Sequence, residues 1–413
     1  MAPRADARAE PATPVDVVVV GAGPGGSAAA AELARAGHRV LLLDRAAFPR
    51  HKACSEYMSP ETARLLDRLG VLPALDAAGA PLHGTTVTAS RGSRLRGRFA
   101  LAGPPPFRPT GLSVARHVLD HALVAAAREA GTELWERVTV EELLYDAGAV
   151  AGVLARDADG RRHVVRARLT VGADGLRSVV ARRIGRRRHG RLRRMAFVAH
   201  VDGVTDMEEC AELHVGSRGY VGLNAIGGGR TNVSLVVPAA RAADARGRAQ
   251  AFFLETLEGF PGVGRRVAAG RLAREVLATG PFAAWSSRVA VDGAALVGDA
   301  ADFFDPFTGE GIYSALLGAT LLADAAGPAL AAGGPVTAAD LAGYRRARRR
   351  AFAGKWAVER LIGYGMLFPA LFDRAVARLG RRAGMADTLV GVTGDFVPAR
   401  RVLNPVFLAR MLL

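Results

Sequence analysis

Lysine is almost missing from this chain. Of 55 basic residues only Lys52 and Lys355 are lysines, so the formal net charge of +16 against 39 carboxylates is an arginine charge. Cysteine is scarce too. Cys54 and Cys210 cannot build a disulfide framework, and a reducing cytoplasm is the simplest compartment for them. No uncharged apolar run reaches the roughly 18 residues of a membrane span; residues 361–372 stop at 12 and are broken by glycines and Pro369, so no spanning helix is expected. Residues 1–14 hold Ala, Pro and charge without an apolar stretch of signal-peptide type and read as a disordered lead. Aromatic residues are only 6% of the chain, which leaves no stacking platform for single-stranded nucleic acid even though the charge invites that reading. The nine histidines lack an accompanying cysteine cluster, and no metal site is expected. What is plentiful is apolar side chain, at 50%, and glycine, at 49 residues in 413: enough for a large interior split over two or three domains.

The first ordered segment is a βαβ unit. Val15–Val20 (VDVVVV) suits a strand covered on both faces, residues 27–36 are helix formers, and residues 38–44 (HRVLLLD) read as a second strand. Between them lies Gly21-Ala22-Gly23-Pro24-Gly25-Gly26. In this setting Gly21 permits a tight turn, Gly23 lets the backbone approach a pyrophosphate, and Gly26 lets helix and strand close up, while the helix N-terminus offers N–H donors to the anion. Asp44 follows Gly23 by 21 residues, near the roughly 20-residue offset at which an acid accepts a ribose hydroxyl. An acid there disfavours a 2′-phosphate and leaves the ADP of FAD or of NAD open. A glycine-rich turn without function is the competing reading.

Further along, the apolar strand at 294–297 runs into Gly298-Asp299, then Asp305-Pro306-Phe307-Thr308-Gly309-Glu310-Gly311-Ile312 and a helix from about Ile312. Asp299 can hold a ribityl hydroxyl and the N–H groups at the helix start can face a flavin ring edge; an enzyme using NAD alone has no need of this second site. Its competing reading is an ordinary βα turn with a capping acid. A third piece, residues 171–178 (VGADGLRS), again takes a strand into a turn. The alternating runs between 195 and 238 suit an inserted antiparallel sheet, and residues 337–413 read as helical.

These three pieces in this order resemble the FAD-dependent oxidoreductases that include p-hydroxybenzoate hydroxylase, the flavin halogenases and the geranylgeranyl reductases, over about residues 15–330. Lys52-Ala53-Cys54-Ser55-Glu56 with Ser59-Pro60, and the loop 305–312, are most similar to the geranylgeranyl reductase branch. The resemblance implies an α/β fold: a Rossmann-type FAD-binding domain from 15–84, 110–194 and 290–330, an inserted antiparallel β-sheet substrate domain from 85–109 and 195–289, and a helical C-terminal region at 331–413. It implies that Gly21, Gly23, Gly25, Gly26 and Asp44 serve the ADP half of FAD, that Arg116 lies near the phosphates, and that the backbone of Val138 meets the adenine. Cys54 and Ser55 would approach the flavin, Asp299 the ribityl or pyrophosphate region, and Gly309, Gly311 and Ile312 the isoalloxazine. Asp174 would serve both FAD and the nicotinamide cofactor.

Departures shape the expected activity. The reductases' Tyr-x-Trp-x-Phe-Pro pattern should fall in residues 218–228, where Tyr220 stands without the Trp, and neither the Trp-x-Trp signature nor the helix-borne lysine of the halogenases is evident. The expectation is an FAD enzyme reduced by NADPH or NADH that hydroxylates a hydrophobic aromatic or polyketide-like molecule. Reduction of alkene bonds in a prenyl or lipid substrate is the alternative. A third class, a non-catalytic basic binding protein, rests on the arginine runs at 182–194 and 345–350. No catalytic side chain, nucleic-acid partner or obligate protein partner is assigned. Cys54 reads as a packing residue beside the cofactor rather than a reactive thiolate. Phe352, Trp356, Met366, Phe368 and Phe372 would cover the substrate or touch a membrane from the cytoplasmic side, but apolar residues at helical spacing are more often core, and core is the expectation.

Overall fold

In the computed structural model, residues 15–412 are described apart from Arg186, so the 1–14 lead and one member of the first arginine run lie outside the described residues. Five strands make a parallel sheet in the order Ala294–Leu296, Arg162–Gly172, Val15–Val20, Val40–Asp44 and Glu133–Glu136, with Ala290–Val291 antiparallel at one edge. Val17, Val18 and Val19 are fully buried, as a strand covered on both faces requires. Val17, Val19 and Leu42 face a layer of helices, Pro24–Arg35, Arg116–Glu129 and Gly311–Ala331. Val18, Val20, Leu41 and Leu43 face the antiparallel meander Thr139–Asp146, Ala149–Arg156 and the first half of Arg162–Gly172.

Helix Gly311–Ala331 is long and apolar enough, by length and composition, to cross a membrane. Here its Ile312, Leu316, Ala319, Leu322, Ala326 and Leu330 are buried in the same core as the first helix. The C-terminal region is tied to this core as well: Val336, Leu341 and Tyr344 join it, and the Tyr344 hydroxyl donates to the carbonyl of Leu296 at 2.5 Å.

The second sheet is ordered Arg271–Leu272, Arg194–Asp202, Arg230–Pro238, Gly219–Ala225, Ala211–Gly216, Gly84–Thr88 and Arg94–Arg98. The expectation of an antiparallel sheet needs one correction. Gly84–Thr88 lies parallel to Ala211–Gly216, because it arrives from a distant chain segment rather than through a hairpin, and no tight turn imposes the antiparallel sense. One face of the sheet packs on helices Ala249–Glu258 and Pro261–Ala268; the other packs on Phe303 and Phe307 and on helices Ala342–Gly365, Pro369–Gly380 and Ala383–Thr393.

One buried ion pair on this sheet carries a measurable consequence. Burial alone would raise the Glu212 carboxyl, yet two hydrogen bonds from Arg266 at 2.7 and 2.8 Å and one from His214 at 3.0 Å hold it down to about 2. A carboxylate depressed in the folded state stabilises fully above its unfolded value of roughly 4.3 and loses that contribution as pH falls towards 2. Arg266→Met should therefore cost about 3–5 kcal/mol at pH 7 by stranding Glu212. Thermal melts should show a large drop at pH 7 that shrinks near pH 3; a drop independent of pH would mean that lost packing, not charge, is responsible.

Candidate active site

Between the two sheets lies a cleft lined by residues from both glycine motifs, among them Gly23, Gly25, Cys54, Ser55, Arg116, Asp299, Gly309, Gly311 and Ile312. Two helix starts converge on it. Pro24–Arg35 and Gly311–Ala331 begin without a side-chain cap, so their first N–H groups remain available to a ligand in the cavity.

Gly21 and Gly26 stand behind the wall and set its spacing. A Cβ on Gly26 would lie 1.8 Å from the Gly21 carbonyl oxygen and 3.0 Å from the Ala173 Cβ, and one on Gly21, at φ +98°, would lie 2.7 Å from the Ala173 carbonyl oxygen and 2.8 Å from the Asp174 Cα. The first and third motifs are thus one packed unit, joined by the Ala173 N–H donating to Val20 at 2.8 Å. A Cβ on Gly23, by contrast, would meet only the Arg50 guanidinium, at 3.9 Å. The space in front of Gly23 is left for a ligand.

Asp44, Val138 and Asp174 do not line the cavity. Asp44 is buried; its Oδ2 accepts from the Ala22 N–H at 2.7 Å and its Oδ1 from the Ala46 N–H at 2.8 Å, each oxygen keeping a lone pair for a hydroxyl. The Val138 N–H is spent on the Asp44 carbonyl at 2.9 Å, so only its own carbonyl is left for an adenine. Asp174 is raised by burial; its Oδ2 accepts from the Val179 N–H at 2.6 Å while Oδ1 is buried with no partner.

Around the phosphate side the structure adds groups that sequence reasoning passed over. Asp120, fully buried, accepts both ends of the Arg116 fork at 2.8 Å and Arg50 at 2.9 Å, aiming two guanidinium groups at the same wall. The Arg116–Asp120 spacing of one helical turn was a readable signal. Lys52 also lines the cavity; burial and then Arg116 lower its pKa, while Asp299 opposes them, and Asp299 is in turn raised by burial. Arg187 donates to the carbonyls of Ala300 at 2.9 Å and Asp299 at 3.2 Å, clamping the turn that carries Asp299. Glu56 accepts from the Arg116 N–H and the Asn232 side chain and meets His200 Nε2, all at 2.8 Å, so the motif carrying Cys54 is bolted to the second sheet.

A family model described as "FAD binding domain" matches residues 14–354. The chain belongs to this family of FAD-binding oxidoreductases. A menaquinone reductase of Mycolicibacterium smegmatis is 32% identical over 322 residues, 73% of each chain. Digeranylgeranylglycerophospholipid reductase 2 of Methanopyrus kandleri is 31% identical over 322 residues, 76% of this chain and 77% of its own. Among solved structures, the myxobacterial chondrochloren halogenase CndH superposes with a TM-score of 0.78 at 26% identity, covering 85% of this chain and 83% of that one.

The residues present fit FAD: the open side of Gly23 and the two guanidinium groups held by Asp120 suit a diphosphate. In this flavoprotein Gly23, Gly25, Arg50 and Arg116 would hold the pyrophosphate, Asp44 the ribose, Asp299 the ribityl chain, and the N–H groups of Gly311 and Ile312 the ring edge. Bound there, FAD supplies the two-electron chemistry that no side chain offers.

Next to the ring position, Gly309 at φ +76° packs against the Tyr57 ring, a Cβ there meeting it at 2.4 Å. Glu310 turns away from the main cavity into a small charged pocket with Arg348, Lys355 and Glu359. Its carboxyl is buried, accepts from Ser59 Oγ at 3.3 Å, and is raised well above the usual range by burial. Lys355 does sit on a helix, but it is paired with Asp395 at 2.7 Å rather than facing the main cavity. His117 and His121 fall one helical turn apart on Arg116–Glu129, yet no group of three or more metal-ligand side chains gathers among the described residues.

Proposed function

We propose that this flavoprotein reduces carbon–carbon double bonds in a long apolar chain, a prenyl-type lipid, using NADPH or NADH as electron donor in the cytoplasm. The observation that carries this reading is a second, mostly apolar recess beyond the flavin-facing loop. It shares Ser55, Leu213, Gly222, Pro306 and Gly309 with the main cavity and continues between Val87, Leu95, Ile362, Leu389 and Val390. Two recesses that share one wall suit a chain longer than a single ring. The names of the two reductases above agree with it. This reverses the order reached from sequence alone, where the missing Trp weighed towards hydroxylation.

Hydroxylation of an aromatic or polyketide-like molecule is the second reading, and the lack of a Trp after Tyr220 is what favours it. One experiment separates the two. The purified holoprotein is reduced anaerobically with NADPH or NADH and given prenyl-chain or aromatic polyketide substrates, with and without air, and product masses are read. A product heavier by two hydrogens, formed without oxygen, supports alkene reduction; a product heavier by one oxygen overturns it. Flavin that neither nicotinamide cofactor bleaches would speak for the non-catalytic binding protein.

A further inference from the structure

Nine large apolar side chains stand exposed among the described residues, and five of them fall within one short stretch: Leu361 (42%), Tyr364 (41%), Leu367 (53%), Phe368 (62%) and Leu371 (44%). The core expectation for this region therefore divides. Phe352 is buried at 1%, and Met366 and Phe372 pack against the core of the second sheet, but Phe368 points outward at the turn between helices Ala342–Gly365 and Pro369–Gly380. A contiguous apolar patch of this kind on an otherwise charged protein marks a contact surface.

Three observations say what it contacts. First, residues 361–372 contain no charged side chain, while exposed arginines stand just outside: Arg360 and Arg374, then Arg381 and Arg382. The nearest acid, Asp373, is turned inward and accepts from Ser93 Oγ at 2.9 Å. An apolar tip flanked by the exposed Arg360 and Arg374 is complementary to an anionic lipid surface, acyl chains beneath and phosphates at the rim. Second, the whole chain carries +16, which favours encounter with such a surface. Third, the tip is continuous with the second recess. Ile362 lines that recess, and Phe372 meets the ring of Phe307, another residue of its lining, at 6.4 Å.

We propose that residues 361–371 insert into the surface of an anionic bilayer, with the neighbouring arginines on lipid phosphates, so that a bilayer-resident chain enters the second recess without crossing water. The docking half stands on exposure and charge; the entry half rests on the reading of the substrate as a long apolar chain.

The test uses the FAD-loaded protein and sedimentation with vesicles of phosphatidylglycerol and phosphatidylcholine, or of phosphatidylcholine alone. The wild type should bind the anionic vesicles, more weakly as salt is raised. Phe368→Glu combined with Leu371→Glu should lower that binding by roughly 100-fold, because two exposed apolar side chains that the bilayer would bury are lost. Arg360→Gln combined with Arg374→Gln should abolish the preference for anionic over neutral vesicles. All four side chains are exposed, so FAD absorbance and melting temperature should stay unchanged, as should turnover of a short water-soluble alkene. Equal sedimentation of the Glu variant and the wild type would overturn the proposal, as would a wild type that ignores the vesicles. So would light scattering that finds a dimer which the Glu variant splits, since the face would then belong to a second copy of this chain. Vesicle binding without reduction of any prenyl substrate would leave docking standing and remove the substrate reading instead.

Discussion

Gly26→Ala should yield a colourless protein. The new methyl would sit 1.8 Å from the Gly21 carbonyl oxygen, and that oxygen cannot step aside. Gly21 is held by its own N–H bond to Leu43 at 2.7 Å, and the next strand is pinned by Ala173 donating to Val20 at 2.8 Å. Helix Pro24–Arg35 must back away instead, withdrawing the N–H groups that face the pyrophosphate and opening a gap beneath Ala28, Ala29 and Leu33, all fully buried. Overpacking of this kind costs about 1–3 kcal/mol or more, and loss of the helix start should cut FAD affinity by at least about 100-fold, on the order of 3 kcal/mol. Gly23→Ala is the informative companion. Gly23 has φ −76° and ψ −177°, which any residue adopts, and nothing in the protein occupies the space a Cβ would fill. That variant should fold as well as the wild type without FAD and still bind FAD poorly, because the methyl stands where a phosphate approaches. Full FAD occupancy in Gly23→Ala, read from the ratio of flavin to protein absorbance, would remove the pyrophosphate from that wall.

The contrast between these glycines shows what a sequence can announce. Gly21, Gly23 and Gly26 were legible because their demands are local: a β-branched strand, a turn and a helix leave few backbone paths, and each glycine has a separate steric reason within six residues. Asp44 and the 305–312 loop were legible for the same reason. What stayed hidden depends on chain segments far apart. Nothing near Gly84–Thr88 says that it will run parallel to Ala211–Gly216, and nothing near Glu56 says that His200 and Asn232 will close on it. Phe352 and Phe368 are both apolar residues of one helical stretch, and periodicity alone cannot tell a face covered by protein from one that protein leaves bare. Lys52 was open to discovery by rarity: in a chain with two lysines, one beside Cys54 invited a role in the cavity. Its partner Lys355 went to a buried cluster of carboxyls instead, a fate no spacing rule foretells.

Asp305→Ala should be the most damaging single change where the second sheet meets the 305–312 loop. Its carboxylate is buried and ties three elements together: Oδ2 accepts from Arg194 Nη1 at 2.7 Å, while Oδ1 accepts from the Tyr220 hydroxyl at 2.7 Å and from the Phe307 N–H at 3.1 Å. Arg194 and Tyr220 are themselves buried, on neighbouring regions of the second sheet, and Phe307 belongs to the loop that sets Gly309 and Gly311 against the cavity. Removing the carboxylate leaves a guanidinium without its countercharge, a loss of about 3–5 kcal/mol, and frees the loop from the sheet, so both melting temperature and FAD affinity should fall. Tyr220→Phe deletes only one charge-assisted bond, about 1.5–3 kcal/mol. The comparison bears on function as well as stability. Tyr220 is what remains of the reductases' aromatic pattern, and burial, then Asp305, hold its hydroxyl protonated far above neutral pH. With its O–H spent on Asp305, it acts here as a brace for the flavin-facing loop. Tyr220→Phe should therefore lose turnover only in proportion to lost FAD, and restoring saturation with added FAD should restore the rate. A rate that stays low at full FAD occupancy would mean that the ring's cavity-facing side meets the substrate directly, and the brace would then be the lesser of its two tasks.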